Sequence, residues 1–146
     1  MKHPNTIRTV VLDGHSLTLE ALVAAARFGA RVELSDQART AMARSRALAE
    51  KILGEKRAAY GITTGFGDFA TVAVSEELSS RLSTNLILSH CTGTGDPYST
   101  EQVRGMMLLR ANALCAGVSG VRPVLVEMLV EMLNRGVTPV VPQKGS

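Results

Sequence analysis

Residues 99–116 read Ser-Thr-Glu-Gln-Val-Arg-Gly-Met-Met-Leu-Leu-Arg-Ala-Asn-Ala-Leu-Cys-Ala, and they set the fold class. Ser99 followed three residues later by Gln102 is the pattern of a capping box, in which each side chain bonds the other residue's backbone N–H. Behind it Val103, Met106, Met107, Leu108, Leu109, Ala111, Ala113 and Leu114 leave little of the surface polar. The pattern predicts a helix from about Glu101 to Ala116 that is apolar nearly all round and buried on most sides.

Working outward, Pro123 suits the first position of a further helix, which Gly136 should terminate. Its carboxylates Glu127 and Glu131 lie four residues apart on one face. Upstream, Ser75, Glu76 and Glu77 start a helix running towards Leu88 or Ser89. Ser35 and Asp36 start another that runs to about Leu53, with Gly54 marking its end. Thr9 to Gly14 reads as a short extended segment closed by an Asp-Gly turn. Ser16 or Thr18 then caps a helix over Glu20 to Phe28, which Gly29 ends. Residues Thr138 to Ser146 read as an extended, Pro-containing segment with no closing element. The expectation is a mainly α, N-terminal helical domain over residues 1–146, with two glycine-rich loops and two long helices too apolar to be fully covered.

Composition narrows the functional classes. The chain has 146 residues, 45% hydrophobic and 20% charged, with no Trp and 3% aromatic residues. So few aromatics argue against stacking platforms for single-stranded nucleic acid. The net charge of +3 is spread along the chain. Its one dense group, Arg39, Arg44, Arg46, Lys51, Lys56 and Arg57, reads as the solvated face of a helix rather than a phosphate-tracking patch. No nucleic-acid partner is expected. Cys91 and Cys115 show no metal-ligand spacing and read as small buried apolar residues, so no metal is expected. Residues Lys2 to Asn5 lack the apolar core of a signal peptide, and Val124 to Leu133 is interrupted by Glu127 and Glu131. No membrane association is expected, and a reducing cytoplasm with both thiols free is the default.

Two loops stand out as candidates for chemistry. The first is Tyr60-Gly61-Ile62-Thr63-Thr64-Gly65-Phe66-Gly67, and the second is Ser89-His90-Cys91-Thr92-Gly93-Thr94-Gly95. Neither fits a phosphate cradle, because the first lacks the Lys of a Walker motif and the strand, turn, helix order is wrong. From residue chemistry alone, Tyr60 is a loop tyrosine with a satisfied hydroxyl and His90 a histidine at a helix C-terminus. On that ground function stays unassigned.

The stretch 60–67, YGITTGFG, resembles the signature of the ammonia-lyases and aminomutases whose cofactor is a methylidene-imidazolone (MIO) formed from an internal Ala-Ser-Gly. Three more stretches resemble that family in order and spacing: NLILSHCTGTG at 85–95, RANALCAGVSGVR at 110–122 and VTPVVPQKGS at 137–146. The resemblance runs from about Leu12 to Ser146. It implies an all-α ammonia-lyase fold of which this chain is the start, a homotetramer in the full-length protein, and a triad just beyond Ser146. No residue of this chain would itself form the cofactor.

The resemblance also implies residue roles. Ammonia elimination requires a proton to leave a barely acidic β-carbon and a poor leaving group to depart, and the electrophilic cofactor improves the leaving group. By motif position Tyr60 takes the proton, and Gly61, Thr64, Gly65, Phe66 and Gly67 shape a loop that closes over the substrate. A phenol with pKa about 10 must be stabilised as phenolate to act as a base. His90 sits where family members acting on histidine carry a Ser-His pair, and it can hydrogen-bond an imidazole. The implied reaction is non-oxidative elimination of ammonia from L-histidine to urocanate. Thr63 departs from the Asn usual in such members and is more familiar from phenylalanine enzymes. Tyrosine or phenylalanine ammonia-lyase or aminomutase chemistry is the alternative, and a non-catalytic helical assembly module the second. The chain alone is expected to be inactive and to associate through its apolar helices.

Overall fold

The computed structural model describes residues 3–55 and 76–145, with side chains at 76–80, 82 and 83 outside the description. The first glycine-rich loop, including Tyr60, Gly61, Thr64, Gly65, Phe66 and Gly67, lies outside the described residues, as do Ser75, Lys56 and Arg57. The chain divides into two compact units. One comprises Met1–Arg46 and Pro97–Val141, the other Ala47–Asp96 and Pro142–Ser146.

The first unit opens with a single 3-10 turn at Pro4–Thr6, then strand β1 (Thr9–Leu12), helix α1 (Leu19–Phe28) and strand β2 (Arg31–Leu34). β1 and β2 pair in parallel, with Val10 opposite Val32 and Leu12 opposite Leu34. Alternation along β1 buries Val10 and Leu12 and exposes Thr9 and Val11, the period of a half-covered strand. Thr18 is the cap of α1: its side chain accepts from the Ala21 N–H at 3.2 Å. Ser16 instead binds Asp13. Gly29, at φ 68°, ends α1 in the left-handed conformation that glycine adopts without a Cβ penalty. β2 was not anticipated, because four residues with two polar-apolar pairs are too short to register as a strand.

Helix α2 (Asp36–Gly54) starts where Ser35 accepts from the Ala38 N–H at 3.0 Å. Its basic residues Arg39, Arg44 and Lys51 are exposed, Arg46 is half-buried, and Arg39 is paired with Glu127. Arg39, Arg44 and Lys51 thus lie on the solvated face expected of them, whereas Arg46 reaches the Gly120 carbonyl at 3.4 Å. Helix α4 (Thr100–Cys115) carries the complete Ser99–Gln102 capping box, and α5 (Pro123–Asn134) begins on Pro123. Gly136 follows its C-cap at φ 70°. Leu12, Val32, Met42, Leu108, Val126 and Leu133 are among the side chains that make the core of this unit.

The burial of α4 differs from the expectation. Val103, Met107, Leu108, Ala111, Leu114 and Cys115 are buried, but Met106 and Leu109 are 41% and 51% exposed. Only one face is covered, and on α5 Val124, Leu125 and Met128 are exposed as well. Both helices are therefore incompletely covered, as their composition implies.

Arg104 stands inside this core at 9% exposure. Its guanidinium donates to the carbonyls of Ala25 (2.8 Å), Ala26 (3.2 Å) and Leu133 (2.8 Å). Those carbonyls belong to the last turns of α1 and α5, which have no acceptor-satisfying partner within their own helix. A cation there also meets the negative end of each helix dipole. Asn134 does similar work at the sheet: its amide accepts from the Val32 N–H (2.8 Å) and donates to the Val32 carbonyl (2.9 Å).

The second unit contains the C-terminal part of α2, helix α3 (Glu76–His90), and strands β3 (Thr94–Pro97) and β4 (Pro142–Lys144), which pair as a two-stranded sheet. The terminal segment therefore has a closing element, contrary to the sequence reading. Its partner lies 45 or more residues away, beyond the reach of local pattern. Among the described residues no helix is long and apolar enough to cross a membrane.

Candidate functional site

His90 is the last residue of α3 and its side chain is exposed. The residues before it, Leu86, Ile87 and Leu88, are 38%, 65% and 67% exposed. Three contacts hold the end of the helix. His90 Nδ1 lies 2.9 Å from the Leu86 carbonyl oxygen and 3.0 Å from Ser89 Oγ. The Ser89 hydroxyl donates to the same carbonyl at 2.9 Å. Leu86 is four residues before His90, so its carbonyl faces the last helical turn, which carries the ring. The ring is thus oriented by the helix that carries it.

Directly after His90 the chain enters the glycine-bearing segment that leads into β3. A Cβ on Gly93 would come within 2.5 Å of Pro142 Cγ, the first residue of β4. A Cβ on Gly145 would collide with the Thr92 carbonyl oxygen. Two glycines thus let the backbones at 92–93 and 142–145 approach more closely than any side chain would allow. The structure brings residues 92–95 and 142–145, which belong to two of the four motif segments, against each other through β3, β4 and these contacts.

The other sequence candidates are placed as follows. Tyr60 and the loop glycines are outside the described residues, so their relation to His90 is not defined. Cys91, expected to be buried, is exposed; it follows the last residue of a helix whose final turn is itself exposed. Cys115 is buried as expected. Burial, and after it the charge of Asp13, pushes its thiol up to about 11, which makes it a poor nucleophile at neutral pH. Asp13 is held at about 2, first by the Ser16 hydroxyl and then by the backbone N–H groups of Ser16 and His15. It organises the turn that leads from β1 towards α1. Among the described residues no group of three or more His, Cys, Asp or Glu could hold a metal ion.

Sequence reading named His90 but not the carbonyl that orients it. The i, i−4 spacing of Leu86 and His90 at a helix end was the available signal. The close approaches of Gly93 and Gly145 carried none, since each depends on a segment about 50 residues distant.

Comparison with known proteins agrees with the motif segments. Residues 17–146 match the family model described as aromatic amino acid lyase. The histidine ammonia-lyase of Alkaliphilus metalliredigens is 46% identical over 140 residues, covering 96% of this chain and 28% of that protein. The histidine ammonia-lyase of Symbiobacterium thermophilum is 50% identical over 133 residues, covering 91% of this chain and 26% of that protein. Among solved structures, the tyrosine aminomutase of Streptomyces globisporus superposes with a TM-score of 0.88 at 35% identity, over 94% of this chain and 26% of that one. The histidine ammonia-lyase of Trypanosoma cruzi gives 0.85 at 37% identity, over 94% and 26%. The chain therefore spans a little over a quarter of the length of the relatives it matches. With the family model covering residues 17–146, the chain belongs to the aromatic amino acid lyase family.

Proposed function

We propose that this chain is the N-terminal domain of an enzyme that eliminates ammonia from L-histidine to give urocanate. The observation that carries the reading is the presentation of His90: an exposed imidazole, oriented by its own helix, in the unit where β4 packs beside the residues that follow it. Relatives named as histidine ammonia-lyases at 46–50% identity support the substrate.

The cofactor proposed is MIO, formed from an Ala-Ser-Gly that would follow Ser146. The described residues fit that placement. Gly145 lies so close to the Thr92 carbonyl that the continuing backbone starts beside the segment after His90. When formed, the group supplies an electrophile that makes the substrate amine a better leaving group. The work of this chain is then binding and proton transfer. His90 takes the substrate ring by hydrogen bonding. Tyr60 is the proposed base for the β-proton, and Gly61, Thr64, Gly65, Phe66 and Gly67 would shape the loop that excludes water.

A site built this way needs neighbouring chains or further segments, and exposed apolar residues on α3, α4 and α5 support that. The proposal therefore includes a homotetramer for the full-length protein and little or no activity for the 146-residue chain alone. A cytoplasmic setting fits two cysteines without a disulfide. Tyrosine chemistry is the second reading, favoured by the likeness to a tyrosine aminomutase and by the fact that a histidine also binds a phenol.

The test is a substrate panel. The full-length polypeptide is incubated separately with histidine, tyrosine and phenylalanine while ammonia and conjugated product are followed. Ammonia and urocanate from histidine are expected. Turnover of tyrosine or phenylalanine, with histidine untouched, would overturn the assignment.

A further inference from the structure

Gly93 and Gly145 let residues 142–145 lie directly on residues 92–93, but they do so in different ways. A Cβ on Gly93 would meet the Pro142 ring, with Cγ at 2.5 Å, Cβ at 3.2 Å and Cδ at 3.3 Å. Carbon atoms sit comfortably at about 3.5–4.0 Å, so an Ala there displaces the ring by about 1 Å. Gly93 has no positive φ, and the ring is what stands in the way of a side chain. Gly145 has a φ of 101°, and the atoms its Cβ would strike are backbone: the Thr92 carbonyl and Gly93 Cα. Each residue of a chain spans at most about 3.6 Å. Where Gly145 is held therefore confines whatever follows Ser146.

We infer that Gly93 and Gly145 are positioning residues for cofactor formation: the packing of Pro142 on Gly93 and of Gly145 on Thr92 sets how fast the following segment closes its ring. This rests on the reading that an Ala-Ser-Gly follows Ser146. Closure bonds the amide nitrogen of the triad's Gly to the Ala carbonyl carbon. The carbonyl oxygen leaves as water with the hydrogens of the Ser and Gly amides, and a C=N bond to the Ser nitrogen remains. The Ser hydroxyl leaves with the Ser Cα hydrogen as a second water, so no oxidant or co-reactant is needed. An intramolecular closure depends on the geometry in which its ends are held, and a displacement of about 1 Å costs up to roughly 100-fold in rate.

The test follows the full-length polypeptide made by cell-free synthesis and digested at intervals, with mass spectrometry reading the fraction of the triad peptide that has lost two waters. Gly93→Ala should slow that loss roughly 10- to 100-fold. Pro142→Ala removes Cγ and Cδ and leaves only the 3.2 Å contact. In that background the same Gly93 change should cost at most about threefold, because the two positions are coupled. Gly145→Ala should be slowed as much with Pro142→Ala as without it, since the backbone it strikes cannot be trimmed. Gly29→Ala, strained by a φ of 68° but with nothing within 4 Å, controls for lost stability and should lose its waters at the parental rate. Equal slowing by Gly93→Ala in both backgrounds, or slowing in Gly29→Ala as large as in Gly93→Ala, overturns the inference. Equal rates in the parent and all variants overturn this inference alone. A parent that never loses two waters overturns the cofactor reading, and this inference with it.

Discussion

Replacing Arg104 by Met removes a buried guanidinium while keeping most of the aliphatic stem. The carbonyl oxygens of Ala25 and Ala26 then lose their donor, while that of Leu133 keeps the Gly136 N–H at 3.3 Å. Each orphaned buried acceptor costs about 1–3 kcal/mol. The lower end applies, because removing the cation also removes its own burial cost, which runs to several kcal/mol. At about 1 kcal/mol for each of the two, the expected loss is about 2 kcal/mol. For a chain of this size that lowers Tm by roughly 4–8 °C. Arg104→Lys should fall between, since one ammonium cannot span carbonyls on two helices as a guanidinium fork does. The assay is thermal unfolding by far-UV circular dichroism, with Arg110→Met as the exposed control on the same helix. A Tm for Arg104→Met within about 2 °C of the parent, a change of less than about 1 kcal/mol, would refute the view that this cation ties α1 and α5 to α4.

Further outcomes follow from the same structure. Gly14→Ala should destabilise by about 2–4 kcal/mol in chemical denaturation, since its φ is 91° and a Cβ would come 2.5 Å from the Ala116 nitrogen. Gly29→Ala, at φ 68° with nothing within 4 Å, should cost only about 1 kcal/mol; equal costs would contradict the packing described. Asp13, depressed from 3.8 to about 2, stabilises the fold above its unfolded value and loses that contribution as pH falls through about 2. Its carboxyl should titrate by NMR near 2, and a midpoint close to 3.8 would show the Ser16 contacts to be absent in solution. Cys115, raised to about 11, should resist alkylation at pH 8 until the protein is unfolded. Labelling of Cys115 in the folded chain would show that its cover opens.

The helices were legible because their ends carry local chemistry. Thr18, Ser35 and Ser99 accept from backbone N–H groups in the following turn, Pro123 begins α5, and Gly29 follows the last turn of α1. What was not legible depends on residues distant in sequence. The four residues of β2 become a strand by pairing with β1 across an intervening helix, and β4 by pairing with β3. Arg104 gave little sign of its environment, because a charged residue in an apolar helix marks a solvated edge as readily as a buried cap. Of the proposed site, His90 was named through its motif. The carbonyl that fixes its ring became visible only when the turn of α3 was built. The burial inferred for Cys91 failed because small apolar character says nothing about whether a helix end is covered.

The measurement that bears most directly on the central claim is product analysis of L-histidine incubated with the full-length polypeptide and with its Tyr60→Phe variant. The account predicts equal amounts of ammonia and urocanate from the parent, and neither from the variant although it still binds histidine. Urocanate formed at the parental rate by Tyr60→Phe would contradict the assigned base, and no urocanate from the parent would contradict the assigned reaction.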